Sequence, residues 1–258
     1  MSFLSKLLKV FGNRSKVENV AKIAKIAKVG NTEPNCPYCD HVLEKMPGRK
    51  KKCPECSQFI CVRTCPHELV KILIREDQIE TIEENWAIVN GTHEQFLAEK
   101  QNKESIRSKL ISQGNASPTE LDVQWIQLES SLPVLASDFK WGVYRNARLG
   151  MGDILKKRGY ISEALNTYLE VCFIDLNGPN NCGTKDPELL KMCPPFDPKS
   201  AFLAPGVLGY VYKLANKLEL QSNDIESRFI ERANNVGRDL GLPISPSEAW
   251  QKLSSEQF

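Results

Sequence analysis

Apolar and polar residues follow three successive rhythms along this chain. Phe3, Leu4, Leu7, Leu8, Val10 and Phe11 surround Lys6 and Lys9, and Gly12-Asn13 supplies a stop signal. Val17, Val20, Ala21, Ile23, Ala24, Ala27 and Val29 then recur among Lys22, Lys25 and Lys28 until Gly30. Both spacings are helical and predict two short basic amphipathic helices, a helical arm over residues 1–30. Gly30 to Asn35 is polar and rich in breakers, which predicts a linker. The rhythm changes there: residues 35–66 hold four closely spaced cysteines and one apolar run, Phe59, Ile60 and Val62, before Pro66.

From residue 70 to 258 helical periodicity dominates, apart from a short strand expected at Val70 to Ile74. Asp77 to Val89 and Glu94 to Ser112 read as a helical hairpin parted by Asn90-Gly91. Ser117-Pro118-Thr119-Glu120 predicts a capping box, with Ser117 as N-cap and Glu120 at the third helical position. Ser245-Pro246-Ser247-Glu248 repeats the device before Ala249, Trp250 and Leu253. The fold class expected is mostly α: a small β-hairpin module followed by an all-α body built from helical hairpins.

A length of 258 residues, 41% hydrophobic and 26% charged, is ordinary globular usage. No run approaches the roughly 18–20 apolar residues of a membrane span, and the start lacks the apolar core of a signal peptide. A cytoplasmic location is therefore expected. Net charge is only +2, yet residues 1–70 carry thirteen Lys or Arg against six Asp or Glu, so the front is basic and the remainder leans acidic. For residues 1–29 two readings stay open: docking on an anionic membrane surface or partner groove, or packing on the protein's own body.

Nine cysteines are an odd number, and four fall in two tight pairs, which favours a metal in a reducing compartment over disulfides. Cys36-Pro37-Tyr38-Cys39 and Cys53-Pro54-Glu55-Cys56 are C-x2-C knuckles, each able to present two thiolates to one ion. Together they supply the four tetrahedral sulfurs that zinc prefers, with no position left for water or substrate, so the metal expected is structural. The intervening stretch allows a hairpin with His41 to Lys45 out, Met46-Pro47-Gly48-Arg49 turning and Lys50 to Lys52 back. Residues 36–62 resemble a zinc ribbon, which implies Cys36, Cys39, Cys53 and Cys56 as zinc ligands. Rubredoxin-like knuckles normally carry glycine after the pair, where Asp40 and Ser57 stand here. Cys61, Cys65, Cys172, Cys182 and Cys193 are assigned no chemistry, and Cys61, Cys65 and His67 make no complete second site.

The run Arg49, Lys50, Lys51 and Lys52 is a candidate contact for phosphates or a solvated hairpin edge, with Tyr38 and Phe59 the nearby aromatics for base stacking. Trp141 to Asp175 resembles a tetratricopeptide helix pair through Met151-Gly152, Leu155, Gly159-Tyr160, Ala164, Tyr168 and Val171. That resemblance implies close helix approach at Gly152 and Ala164 and binding of a protein or peptide, although no second repeat follows. Leu208 to Arg232 is faintly similar to a helix-turn-helix, but Glu219 stands where glycine is usual and the second helix is not basic. The Gly-, Pro- and Asn-rich connection from Asn177 is expected to cover the helical core with Phe196 and Phe202, or to clasp a partner. No nucleophile elbow, phosphate loop or metal-hydrolase motif occurs, and His41, His67 and His93 lack partners at catalytic spacing, so no enzyme is expected. The reading is a non-catalytic zinc-binding adaptor whose helical body binds protein; the alternative is a nucleic-acid-associated factor gripping phosphates through the ribbon and the arm.

Overall fold

The structure, a computed structural model, describes residues 26–255 and divides into two compact units, Met1–Glu104 and Ser105–Phe258. The helices expected before residue 26 lie outside the described residues. Among those described, nine α-helices accompany one three-stranded antiparallel sheet, the mostly α fold with a small β module that the periodicities imply.

In the first unit the strands β1 (Lys51–Lys52), β2 (Phe59–Thr64) and β3 (Lys71–Ile74) lie in sequence order. Lys52 pairs with Phe59, and β2 pairs with β3 from Cys61↔Ile74 to Thr64↔Lys71. Strand alternation sends Ile60, Val62 and Leu73 to one face, where they meet Leu43, Met46 and the cluster cysteines Cys36, Cys53 and Cys56. Cys61, Ile72 and Ile74 take the other face, covered by Ile79, Ile82 and Trp86 of helix α1 (Ile79–Asn90). Gly91, at φ +74°, ends α1 in the left-handed conformation glycine adopts without strain. Helix α2 (His93–Ser112) buries no side chain; the pairs His93–Glu84 and Lys100–Glu80 tie its first half back to α1.

Three expectations are corrected here. His41 to Lys45 is not a strand: only Val42 makes a bridge, to Asn35. Residues 26–29 are not helical, and Gly30 to Asn35 is no free linker. The Asn85 side chain, 3% exposed, accepts from the Ala27 N–H at 3.2 Å and donates to its carbonyl at 2.9 Å, and Asn31 exchanges both backbone hydrogen bonds with Leu73. A side chain at Gly30 (φ +83°) would sit 2.6 Å from Ile74 Cγ2, so glycine there permits both the turn and the close approach to β3.

The second unit contains α3 (Glu120–Ser137), α4 (Trp141–Lys157), α5 (Ile161–Leu176), α6 (Pro187–Met192), α7 (Pro205–Lys217), α8 (Ser222–Leu240) and α9 (Pro246–Ser255). Helix α5 is the axis: every residue from Thr167 to Leu176 is buried, with α7, α8 and α9 packed on it through Val211, Phe229 and Trp250. Gly152 lets α4 approach α5, since a Cβ there would lie 2.8 Å from Tyr168 Cε1. Helix α3 starts two residues later than expected, because the Thr119 hydroxyl caps the Asp122 N–H at 3.3 Å while the Asp122 carboxylate accepts from the Thr119 N–H at 2.7 Å. The C-terminal cap is as read: the Glu248 N–H donates to Ser245 Oγ at 3.2 Å. Between α7 and α8 the chain turns at Glu219, which adopts the left-handed φ of +55° otherwise left to glycine.

Candidate metal centre

The two C-x2-C segments fold as the same backbone turn. In the first, the Cys36 N–H donates to the His41 carbonyl and the Asp40 N–H to the Cys36 carbonyl, both at 2.9 Å. In the second, Cys53 donates to Gln58 at 2.9 Å and Ser57 to Cys53 at 3.0 Å. Closure requires a left-handed residue at the fifth position of each turn, and Asp40 (φ +57°) and Ser57 (φ +59°) occupy it, the position at which rubredoxin-like knuckles normally carry glycine. Each turn caps its own antiparallel pair, Asn35 with Val42 and Lys52 with Phe59. This explains why the expected hairpin between the knuckles does not form: the pairing runs across each knuckle instead.

The turns bring the Sγ atoms of Cys36, Cys39, Cys53 and Cys56 within 4.8 Å of one another, with Cys36 to Cys56 at 3.7 Å and Cys39 to Cys53 at 3.8 Å. Cys36 and Cys53 are buried beneath the cluster and Cys39 is exposed above it. Two backbone N–H groups point at each buried sulfur, those of Tyr38 and Cys39 at Cys36 and those of Cys56 and Glu55 at Cys53. Burial disfavours a charge on Cys53, but these N–H groups and the thiols of Cys36 and Cys56 outweigh it and lower Cys53 to about 6. The His41 N–H favours a charge on Cys39, yet desolvation and the three neighbouring sulfurs push it up to about 12; desolvation also raises Cys36. Cys53 thus ionises readily while Cys36 and Cys39 resist, as expected for a set whose combined charge needs a cation. The donor set suits a soft or borderline metal in a closed tetrahedral site, since all four ligands are protein sulfur.

A third turn of the same kind follows β2, at residues the sequence pattern did not mark as a knuckle. At Cys65-Pro66-His67-Glu68, the Cys65 N–H donates to the Val70 carbonyl at 2.8 Å, Leu69 donates to Cys65 at 2.9 Å, and Leu69 has φ +56°. The recurring Cys-Pro was the available signal. Glu68 stands where the other knuckles have their second cysteine, and among the described residues no metal-ligating cluster other than the tetrad forms.

The basic run is partly engaged. Lys50 pairs with Glu76, and the ammonium groups of Lys50 and Lys52 lie over the Phe59 ring, 4.7 and 5.6 Å from its centroid. The Tyr38 hydroxyl accepts the Glu76 N–H at 3.0 Å. Arg49 and Lys51 are exposed.

In the second unit the connection after α5 is ordered. The buried Asn177 side chain accepts the Ile244 N–H at 2.9 Å and donates to the Phe173 carbonyl at 2.8 Å, and Phe196 lies 5.0 Å from the ring of Trp141. Phe202, expected on the core, is 71% exposed. Comparisons of the chain with protein-family models, with curated proteins and with solved structures found no match.

Proposed function

We propose that the chain is a non-catalytic zinc-binding adaptor of the cytoplasm, in which Cys36, Cys39, Cys53 and Cys56 hold one structural zinc and the helical body binds a protein partner. The observation that carries the reading is the closed four-sulfur cluster with backbone N–H groups aimed at its two buried sulfurs. Such a set stabilises a bound ion and offers no coordination position for substrate, which supports a structural role for the zinc. Iron fits four thiolates as well; zinc is preferred because Asp40 and Ser57 stand where rubredoxin-like knuckles normally carry glycine, and borderline zinc takes a four-sulfur site readily. Among the described residues no helix is long and apolar enough to cross a membrane. A protein partner is supported by the apolar side chains that the second unit leaves in solvent along one connection, Leu189, Met192 (83% exposed) and Phe202. The helix pair α4–α5, with Gly152 against Tyr168, fits the tetratricopeptide-like reading of that body.

The rival reading, a nucleic-acid-associated factor, rests on Arg49, Lys50, Lys51 and Lys52. It is the weaker of the two because Lys50 is already paired with Glu76 and one face of Phe59 is occupied by lysines. Peripheral membrane contact through residues 1–29 is retained as a role for the basic arm.

Elemental analysis of the purified chain tests the metal: zinc near one equivalent is expected, and a Cys53→Ser variant that keeps full zinc refutes the ligand set. Affinity capture from extract, with and without nuclease, tests the partner. Recovery of the same protein after nuclease treatment supports the adaptor. Tight nucleic-acid binding whose logarithm falls against log salt by about 0.9 per neutralised phosphate, and which vanishes when residues 49–52 become Gln, supports the rival.

A further inference from the structure

The connection from Asn177 to Ala204 contains a pair of thiols the metal centre does not use. Its two sides run antiparallel: Pro179 bridges Phe196, Asp197 donates to the Gly178 carbonyl at 2.9 Å, and Asn180 donates to the Pro195 carbonyl at 2.9 Å. Continued by three residues, that register sets Cys182 opposite Cys193. Their Sγ atoms are 3.3 Å apart, and the Cys182 thiol also donates to the Cys193 carbonyl at 2.8 Å. Directly opposed residues of an antiparallel pair have Cα atoms about 4.5–5.5 Å apart. That lies inside the window a disulfide requires, about 4.4–6.8 Å. The neck is fixed from outside as well: Asn181 Oδ1 accepts the Val143 N–H at 3.1 Å, and the Trp141 N–H donates to the Asn180 carbonyl at 2.9 Å.

We infer that Cys182 and Cys193 form a reversible dithiol–disulfide pair, a redox modification site that closes the neck of the excursion bearing α6, Leu189 and Met192, with glutathione disulfide or a like small disulfide as oxidant. Exposed Cys193 is the attacking sulfur. Burial, together with the adjacent Cys193 sulfur, pushes Cys182 up to about 11, so it is not the first of the two to attack, and its 3.3 Å contact with Cys193 gives it the resolving role. In the first step the Cys193 thiolate attacks one sulfur of the oxidant, whose S–S bond breaks, and one glutathione leaves as thiolate and takes up a proton. In the second, Cys182 gives up its proton and attacks the Cys193 sulfur, and the second glutathione leaves as thiol. Two protein thiols are oxidised and one glutathione disulfide is reduced to two thiols. In a reducing compartment the pair rests as dithiol and responds to oxidant load, the usual character of intracellular disulfides.

The test equilibrates the full chain in buffers of reduced and oxidised glutathione, blocks the remaining thiols by alkylation and maps cysteines by mass spectrometry after trypsin. Lys185 and Lys191 lie between the two sulfurs, so the bond joins a peptide ending at Lys185 to one beginning at Met192. Cys172 lies in that first peptide and is fully buried; Cys182→Ser must therefore abolish the linkage and leave Cys193 as a stable glutathione adduct. The intramolecular bond is expected to exceed the mixed disulfide by about tenfold or more, because the second thiol is already in contact. Accumulation of the Cys193 adduct in the unmutated chain with Cys182 still alkylatable overturns the inference. So does oxidation of Cys36, Cys39, Cys53 or Cys56 while Cys182 and Cys193 stay reduced.

Discussion

Asp175 and Arg145 are the most exposed to test among the charges inside the helical unit, because the structure fixes what their loss should cost. The Asp175 carboxylate accepts from Arg145 Nε and Nη2, each at 2.6 Å, and the two side chains are 6% and 11% exposed. Desolvation of the buried carboxylate outweighs the arginine beside it, so Asp175 titrates above the ordinary carboxylate range. The pair is held at the expense of hydration and is worth little net, whereas half of it is costly. Asp175→Ala should destabilise the second unit by about 3–5 kcal/mol, the cost of an unpaired buried charge. For a unit of this size that lowers Tm by roughly 2–4 °C per kcal/mol. Arg145→Met combined with Asp175→Leu should recover most of the loss. The assay is thermal and urea unfolding followed by tryptophan fluorescence in a Trp86→Phe background, so that Trp125, Trp141 and Trp250 report the second unit alone. A loss under about 1 kcal/mol for Asp175→Ala, or a double variant as unstable as the single one, would refute the reasoning.

Asn85→Ala strands both backbone groups of Ala27 and should cost about 1–3 kcal/mol, read as loss of hydrogen-exchange protection at the Ala27 amide. Gly152→Ala places a methyl against Tyr168, whose hydroxyl is held by Asp153 at 2.6 Å. Overpacking of about 1–3 kcal/mol then exceeds the helix-propensity gain of up to about 1 kcal/mol, so urea midpoints should fall. The Thr119 hydroxyl, then its N–H and, beyond these, Arg158 hold Asp122 below the usual carboxylate range. Its stabilisation is therefore full above the unfolded pKa of about 4 and is lost as pH falls through the folded value. Asp122→Asn should flatten that part of the acid-unfolding curve.

The cysteine tetrad was legible because covalent spacing alone puts each pair of sulfurs on one turn, and the C-terminal cap because Ser245 and Glu248 sit at the two ends of one hydrogen-bonded device. The helices of the second unit were legible from their period. Three features were not. The pairing of Lys52 with Phe59 joins residues on either side of a knuckle, and apolar alternation says nothing about it when one strand is two lysines. The packing of residues 26–31 along β3 depends on Asn85, distant in sequence and unremarkable as one polar residue in a helix. The start of α3 was misplaced because Thr119 and Asp122 compose a reciprocal cap as good as the one read from Ser117, and Asp122 gains Arg158 at 2.5 Å in addition.

The third knuckle shows what a metal at the tetrad would contribute. Cys65-Pro66-His67-Glu68 closes the same hydrogen bonds as its two counterparts without a second cysteine, so backbone and a left-handed fifth residue suffice to make the turn. On the proposed reading a metal would then serve to join turns rather than to form them. The second knuckle is already anchored, because β2 pairs with β3 and both pack on α1. The first is held by Leu43, Met46, the hydrogen bond from Glu76 to Tyr38 and one from the Asn31 side chain to the Asn35 carbonyl at 3.4 Å. Burying Leu43 contributes about 1.5–3 kcal/mol, less than fixing the backbone of residues 35–46 at about 1 kcal/mol or more each. Stripping the metal should therefore release residues 35–46 first, leaving β2, β3 and α1 protected. Hydrogen exchange on the chain with and without chelator decides it: selective loss of protection at the Cys36, Asp40 and Leu43 amides is expected. Simultaneous loss at Cys61, Val62 and Leu73 would mean that the metal holds the whole sheet.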